Sequence, residues 1–137
     1  MRIDIIGGGA LGLLFFSKLA WSSEANQKDS SIEESHSNQL HLWTRTVEQA
    51  EQICEQGITL RESSDSDDAY HVWPSNMTHC SVDAVQSSTD HREIDKADVI
   101  LLTVKQQHVT TELIQWLAGR VHNHTVIITM QNGLRTE

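Results

Sequence analysis

The sequence predicts an α/β fold of the Rossmann type: a doubly wound, mainly parallel sheet with helices on both faces. Three observations carry that expectation. The chain opens with a short apolar strand, Ile3 to Ile6, that runs directly into Gly7-x-Gly9-x-x-Gly12 and then a helix-like segment, the order of a dinucleotide-binding βα turn. Strand-like and helix-like segments then alternate, as they do when crossover helices join parallel strands. Finally, Asp98-Val-Ile-Leu-Leu-Thr-Val104 is an almost unbroken apolar run, the pattern of a parallel strand covered on both faces.

The elements follow in order. Ala10 to Trp21 reads as a helix with Leu11, Leu14, Phe15 and Leu19 as its apolar stripe. Ser22 to Gln39 is polar, serine-rich and without apolar periodicity, so it reads as a solvated loop. Leu40 to Thr44 is the second strand. Val47 to Gln56 is the second helix, capped by Thr46 and closed by Gly57. Ile58 to Leu60 is extended, and Ser63 to Asp68 is an acidic turn. Tyr70 to Trp73 and Cys80 to Val85 read as short strands separated by a turn at Pro74-Ser-Asn76. After the strand at Asp98–Val104, Gln107 to Leu117 reads as a helix stopped near Gly119. Thr125 to Met130 is a further buried strand. The 137 residues form one domain on this reading, long enough to bury a core.

Composition excludes several function classes. The formal net charge is −9, and the ten Lys and Arg residues are scattered along the chain, so neither nucleic acid nor an anionic membrane is an expected partner. No apolar run approaches the ~20 residues needed to span a bilayer. The chain opens on a strand and not on a signal segment, which points to the cytoplasm. Cys54 and Cys80 form no CxxC pair and read as reduced thiols. His122-x-His124 and His79-Cys80 lack further ligands at useful spacing, so no metal site is expected. The serines lack a nucleophile-elbow setting. Trp21, Trp43, Trp73 and Trp116 lie in different elements and read as packing residues.

The chemistry-bearing positions sit where strands end. Gly7, Gly8, Gly9, Ala10, Leu11 and Gly12 form the candidate diphosphate cradle: a tight turn, a close backbone approach, and the positive end of a helix aimed at the phosphates. The end of the second strand separates NAD from NADP, and it carries Arg45 with no acid before Glu48. A guanidinium fork there suits a 2′-phosphate, so NADP(H) is the expected cofactor. The distance from Gly12 to Arg45 exceeds the usual ~20 residues, and the Ser22–Gln39 insertion accounts for the excess. Lys105 follows the Asp98–Val104 strand and points at the crevice, with His108 one turn further on. Gln131-Asn132-Gly133 ends the last strand and places the Asn132 amide beside the nicotinamide or the substrate.

Together, Ile5-Ile-Gly-Gly-Gly-Ala-Leu-Gly12, Leu42-Trp-Thr-Arg45, Asp98-Val-Ile-Leu-Leu-Thr-Val-Lys105 and Gln131-Asn-Gly-Leu134 resemble the N-terminal half of the ketopantoate reductases. The resemblance implies NADPH-dependent reduction of the keto group of ketopantoate to pantoate, on the route to pantothenate and coenzyme A. It implies that Gly7–Gly12 bind the pyrophosphate and Arg45 the 2′-phosphate. Lys105 and Asn132 then work near the nicotinamide ribose and the substrate, a small 2-keto acid. Arg135, where the family usually has a small residue, and the serine-rich insertion depart from the pattern. The family's proton-donor lysine lies in a helical C-terminal domain beyond Glu137, so the resemblance places no catalytic acid in this chain. Two other functions fit the same first half: a non-catalytic NADP-sensing module, and the cofactor domain of another 2-keto or 3-hydroxy acid dehydrogenase. A homo-oligomer is compatible with all three.

Overall fold

Five parallel strands in the order β5-β2-β1-β6-β7 form the sheet of the computed structural model, which describes residues 1–29, 38–61, 68–85 and 96–131. The strands are β1 (Arg2–Ile6), β2 (Gln39–Thr44), β5 (Cys80–Ala84), β6 (Val99–Leu102) and β7 (Val126–Thr129). Helices α1 (Ala10–Asp29), α2 (Val47–Gln56) and α3 (Thr111–Ala118) connect or cover them. A separate antiparallel pair, β3 (Ile58–Arg61) and β4 (Ala69–Val72), packs beside α1, with Trp21 and Tyr70 edge to face at 5.1 Å. The Rossmann-type α/β architecture is therefore as expected, and the order reverses at β1, where the chain turns from building outward on one side to building on the other.

Alternation along β1 divides the interior. Ile3 and Ile5 face a core with Phe16, Ala20, Leu40, Leu42, Ile53, Ile58 and Val72. Ile6 faces a second core with Trp43, Ile100, Leu102, Leu113 and Leu117, beneath α3. Helix caps match their sequence signals. Thr46 accepts from the Gln49 N–H at 3.2 Å, and Gly57 closes α2 at φ +70. Thr110 caps α3 by accepting from the Leu113 N–H.

Several expectations need correction. Helix α1 does not stop at Trp21 but continues through Asp29, because the following residues contain no glycine or proline and Glu24, Ala25, Gln27 and Lys28 favour helix. Leu11 and Leu14 are exposed, while Phe16 and Ala20 are buried. Phe15 and Leu19 of the expected stripe do pack against the core, partly buried, while the centre of the buried face shifts to Phe16 and Ala20. The strand expected at Tyr70–Trp73 runs from Ala69 to Val72 and pairs with β3. The expected helix from Gln107 begins instead as a 3-10 turn, Gln106–His108, and α3 starts at Thr111. Most of the acidic turn, residues 63–67, and residues 30–37 of the serine-rich segment lie outside the described residues. Strand β7 was expected to be buried. It is the last strand of the order, and Val126, Ile127 and Ile128 are exposed, since among the described residues β6 alone pairs with it. Trp21 and Trp73 are also largely exposed.

A polar layer supports the second core. Asp4 is fully buried in β1 and accepts from Arg2 Nε at 2.9 Å and from Trp43 Nε1 at 3.0 Å. His41 stacks on Trp43 with ring centroids 4.0 Å apart. The Arg2 guanidinium donates to His41 Nδ1 at 3.2 Å, which leaves that ring neutral. Burial, with Arg2 as the next contributor, pushes the His41 pKa down to about 3, against a smaller opposing pull from Asp83.

Folded His41 stays neutral where the unfolded chain's histidine is protonated. The stabilisation is present above pH 6.5 and is lost as pH falls from 6.5 towards about 3. Urea unfolding across this window should show His41 contributing a slope of at most about 1.4 kcal/mol per pH unit. His41→Phe, which keeps the stack and cannot titrate, should flatten the profile relative to wild type. An identical slope in both proteins would exclude this role.

Candidate functional site

The site is built at the switch point, where β1 hands over to α1. The Gly7 N–H donates to the Trp43 carbonyl at 2.9 Å, continuing the β1–β2 ladder for one more residue. Gly7 then adopts φ +123, a conformation L side chains rarely reach. A Cβ at Gly7 would also lie 2.6 Å from Thr103 Oγ1. A Cβ at Gly12 would land on the carbonyl oxygen of Gly7. The helix can pass this close to the strand only because both positions lack a side chain. Thr103, directly after β6, ties the third strand in by donating its hydroxyl to the Ile6 carbonyl at 2.9 Å.

Helix α1 makes its first i to i−4 hydrogen bond from the Leu13 N–H to the Gly9 carbonyl, at 3.0 Å. The N–H groups of Ala10, Leu11 and Gly12 therefore precede the helical ladder and have no partner within it. They sit at the positive end of the helix dipole. A Cβ at Gly9 would meet nothing within 4 Å among the described residues, which leave the turn open on that side. These features fit an anionic group carried close to the backbone.

The turn opens on a cavity of about 1110 Å³ along the carboxyl ends of the strands. Gly7, Gly8, Gly9, Ala10 and Leu11 form its floor, and Gly12 packs behind them. Arg45 lies just past β2 on one side, and Lys105 and His108 lie past β6 on the other. All three are exposed and line the cavity, and no ion pair engages Arg45 or Lys105 among the described residues. Glu112 is the one lining carboxylate among the described residues. The structure thus brings together nine of the ten sequence-predicted positions. Asn132 lies outside the described residues, as do Gly133 and Arg135, while Gln131 lines the cavity.

Sequence reasoning missed part of the wall. Trp43 and Trp116 both line the cavity, and the buried Arg120 guanidinium stacks against both rings, at 4.1 and 4.0 Å. Alternation in β2 places Trp43 on the same face as the cavity, a signal that period-2 reading could have used. Thr103 and Gln49 were also missed. Gln49 sits three residues after the cap Thr46, in the pattern of a capping box. His122 accepts from the His124 N–H through Nδ1 and meets Asp98 through Nε2 at 2.9 Å. Both ring nitrogens are thereby engaged at the sheet end remote from the cavity. Among the described residues, no three His, Cys, Asp or Glu side chains gather as a metal would require, and no helix is long and apolar enough to cross a membrane.

The two tight glycines and the open one should separate in stability measurements. Gly12→Ala is expected to destabilise the fold by about 3 kcal/mol, because the clash is with backbone and cannot be relieved by a rotamer change. Gly9→Ala should cost less than about 1 kcal/mol. Chemical denaturation of both variants checks the difference, and equal losses would contradict the packing described.

Comparison with known proteins agrees with this fold. A family model described as ketopantoate reductase PanE/ApbA matches residues 3–137. No curated protein matches the chain. Among solved structures, 2-dehydropantoate 2-reductase from Methylococcus capsulatus superposes with a TM-score of 0.58 at 22% identity, covering 100% of this chain and 35% of that one. A PanE/ApbA family ketopantoate reductase from Ralstonia eutropha JMP134 superposes with a TM-score of 0.61 at 17% identity, covering 97% of this chain and 35% of that one. These likenesses establish a shared fold. The chain spans about a third of the length of either structure.

Proposed function

The chain belongs to the ketopantoate reductase family, and on that premise we propose that it is the NADPH-binding part of a 2-keto acid reductase acting on ketopantoate. The observation that carries the reading is the set of N–H groups at the start of α1 that have no partner within the helix, beside a cavity also lined by Arg45, which forms no ion pair among the described residues. A diphosphate fits the first and a 2′-phosphate the second.

The chain's own residues bind and orient. Ala10 and Leu11 donate main-chain N–H groups to the diphosphate, reinforced by the helix dipole, while Gly12 packs behind them. Arg45 takes the 2′-phosphate through its planar fork. Lys105 and Asn132 hold the nicotinamide ribose and the keto acid, and His108 lines the same end of the crevice. Trp43, Leu113, Trp116 and Met130 supply apolar wall that keeps water from the reacting centre. When bound, NADPH supplies the hydride that reduces the keto carbon. The proton that completes the alcohol must come from an acid within hydrogen-bond reach of the substrate oxygen. We assign that acid to the family's helical domain, beyond these 137 residues.

Titration of NADPH and NADH against wild type and Arg45→Ala tests the cofactor assignment. Loss of a charge-assisted contact should weaken NADPH binding by about 10- to 100-fold, with NADH binding changed by less than about twofold. Equal loss for both cofactors would remove Arg45 from the 2′-phosphate site. The 137 residues alone are expected to bind NADPH without ketopantoate-dependent oxidation of it, and measurable turnover would place the acid within this chain.

A further inference from the structure

Thr46-x-x-Gln49 spells a capping box, in which the second side chain ordinarily reaches back to the N–H of the first residue. Only half of the box is made. The Gln49 N–H donates to Thr46 Oγ1 at 3.2 Å, but among the described residues no bond carries the Gln49 side chain to the Thr46 N–H. It crosses instead to the glycine turn, where Nε2 donates to the Gly8 carbonyl oxygen at 2.9 Å. A Cβ on Gly8 would lie 2.7 Å from that nitrogen, so the amide rests directly against the turn.

The bonded carbonyl belongs to the peptide that most needs an anchor. Gly7, Gly8 and Gly9 are consecutive, and a peptide plane between glycines can rotate with little steric resistance. Either face of the Gly8–Gly9 peptide could then look into the cavity. In a trans peptide the C=O and N–H point in opposite directions. A bond that holds the Gly8 oxygen towards α2 turns the Gly9 N–H away from it and keeps a carbonyl dipole from facing an anion. Only a donor can do this. Glutamate would serve the capping box and the helix dipole at least as well, yet an ionised carboxylate cannot donate to a carbonyl.

We infer that Gln49 is a positioning residue of the diphosphate site, locking the Gly8–Gly9 peptide in its anion-binding orientation. This rests on the dinucleotide reading above and assigns a role that the glycine motif leaves open. It also ties the two ends of the cofactor together, since Gln49 and Arg45 lie four residues apart around the start of α2.

Gln49→Glu tests the inference, with Gln49→Ala beside it, in the full 137-residue chain. The probes are NADPH and adenosine 2′-phosphate, which carries the Arg45 ligand but no diphosphate. Gln49→Glu is expected to keep or raise the thermal midpoint, to weaken NADPH binding about tenfold or more, and to leave adenosine 2′-phosphate binding unchanged. Gln49→Ala should weaken NADPH in the same direction, and the Gly9 amide resonance, expected to be single and sharp in wild type, should broaden as the peptide begins to flip. The inference is overturned if both variants bind NADPH like wild type, or if both lose adenosine 2′-phosphate to the same extent. A wild-type chain that binds no NADPH overturns the dinucleotide reading itself, and the inference with it.

Discussion

Gly7 and Gly12 bring a strand end and a helix start so close that neither residue could carry a side chain. The remaining features of the site depend on that contact. It sets the direction of α1, and so decides where the unpaired N–H groups of the first turn point. It leaves Thr103 as the bridge from β6 to the carbonyl of Ile6. It also fixes the level at which the cavity floor lies relative to Trp43 and Arg45, because β1 and β2 run in register from Arg2 opposite Gln39 to Ile6 opposite Trp43. Looser packing at this crossing would displace the helix dipole from the crevice, and the strongest attraction for an anion would be misdirected.

The wall above that floor is held from below by charge. Asp4 is buried within β1, where an unpaired carboxylate would be costly, and it is satisfied by Arg2 and by the Trp43 indole. That bond orients the Trp43 ring, on which His41 stacks from one side while Arg120 lies over it and over Trp116. Apolar cavity lining is thus positioned by a polar network one layer deeper, linking the start of β1 to the side chains that shape the crevice. At the far end of the sheet, Asp98 plays a comparable part by accepting from the Arg2 N–H and meeting His122. These two bonds, with the backbone bond from the Arg2 N–H and the side-chain bond to His122 as the leading causes, hold the Asp98 carboxyl below its usual range.

Features that depend on local chemistry were legible in the sequence. The glycine turn, the Thr46 and Gly57 caps and the strand after Asp98 each follow from a few adjacent residues, and each stands where it was expected. Arg45 and Lys105 follow strand ends, and the position of strand ends in such sheets places both beside the cavity. The misreadings arose where neighbours distant in sequence decide the outcome. The apolar composition of β7 reads as burial, but its place at the end of the strand order leaves it exposed. Gln49 carries a local signal for helix capping, and the three-dimensional approach of the glycine turn redirects it.

A diphosphate held by the main-chain N–H groups at the start of α1 is the central proposal. A crystal structure of this chain with NADPH bound tests that most directly. The expected result is diphosphate oxygens within hydrogen-bond distance of the Ala10 and Leu11 nitrogens, with the 2′-phosphate against Arg45. A cofactor seated elsewhere, or a diphosphate that makes no bond to those nitrogens, would contradict it.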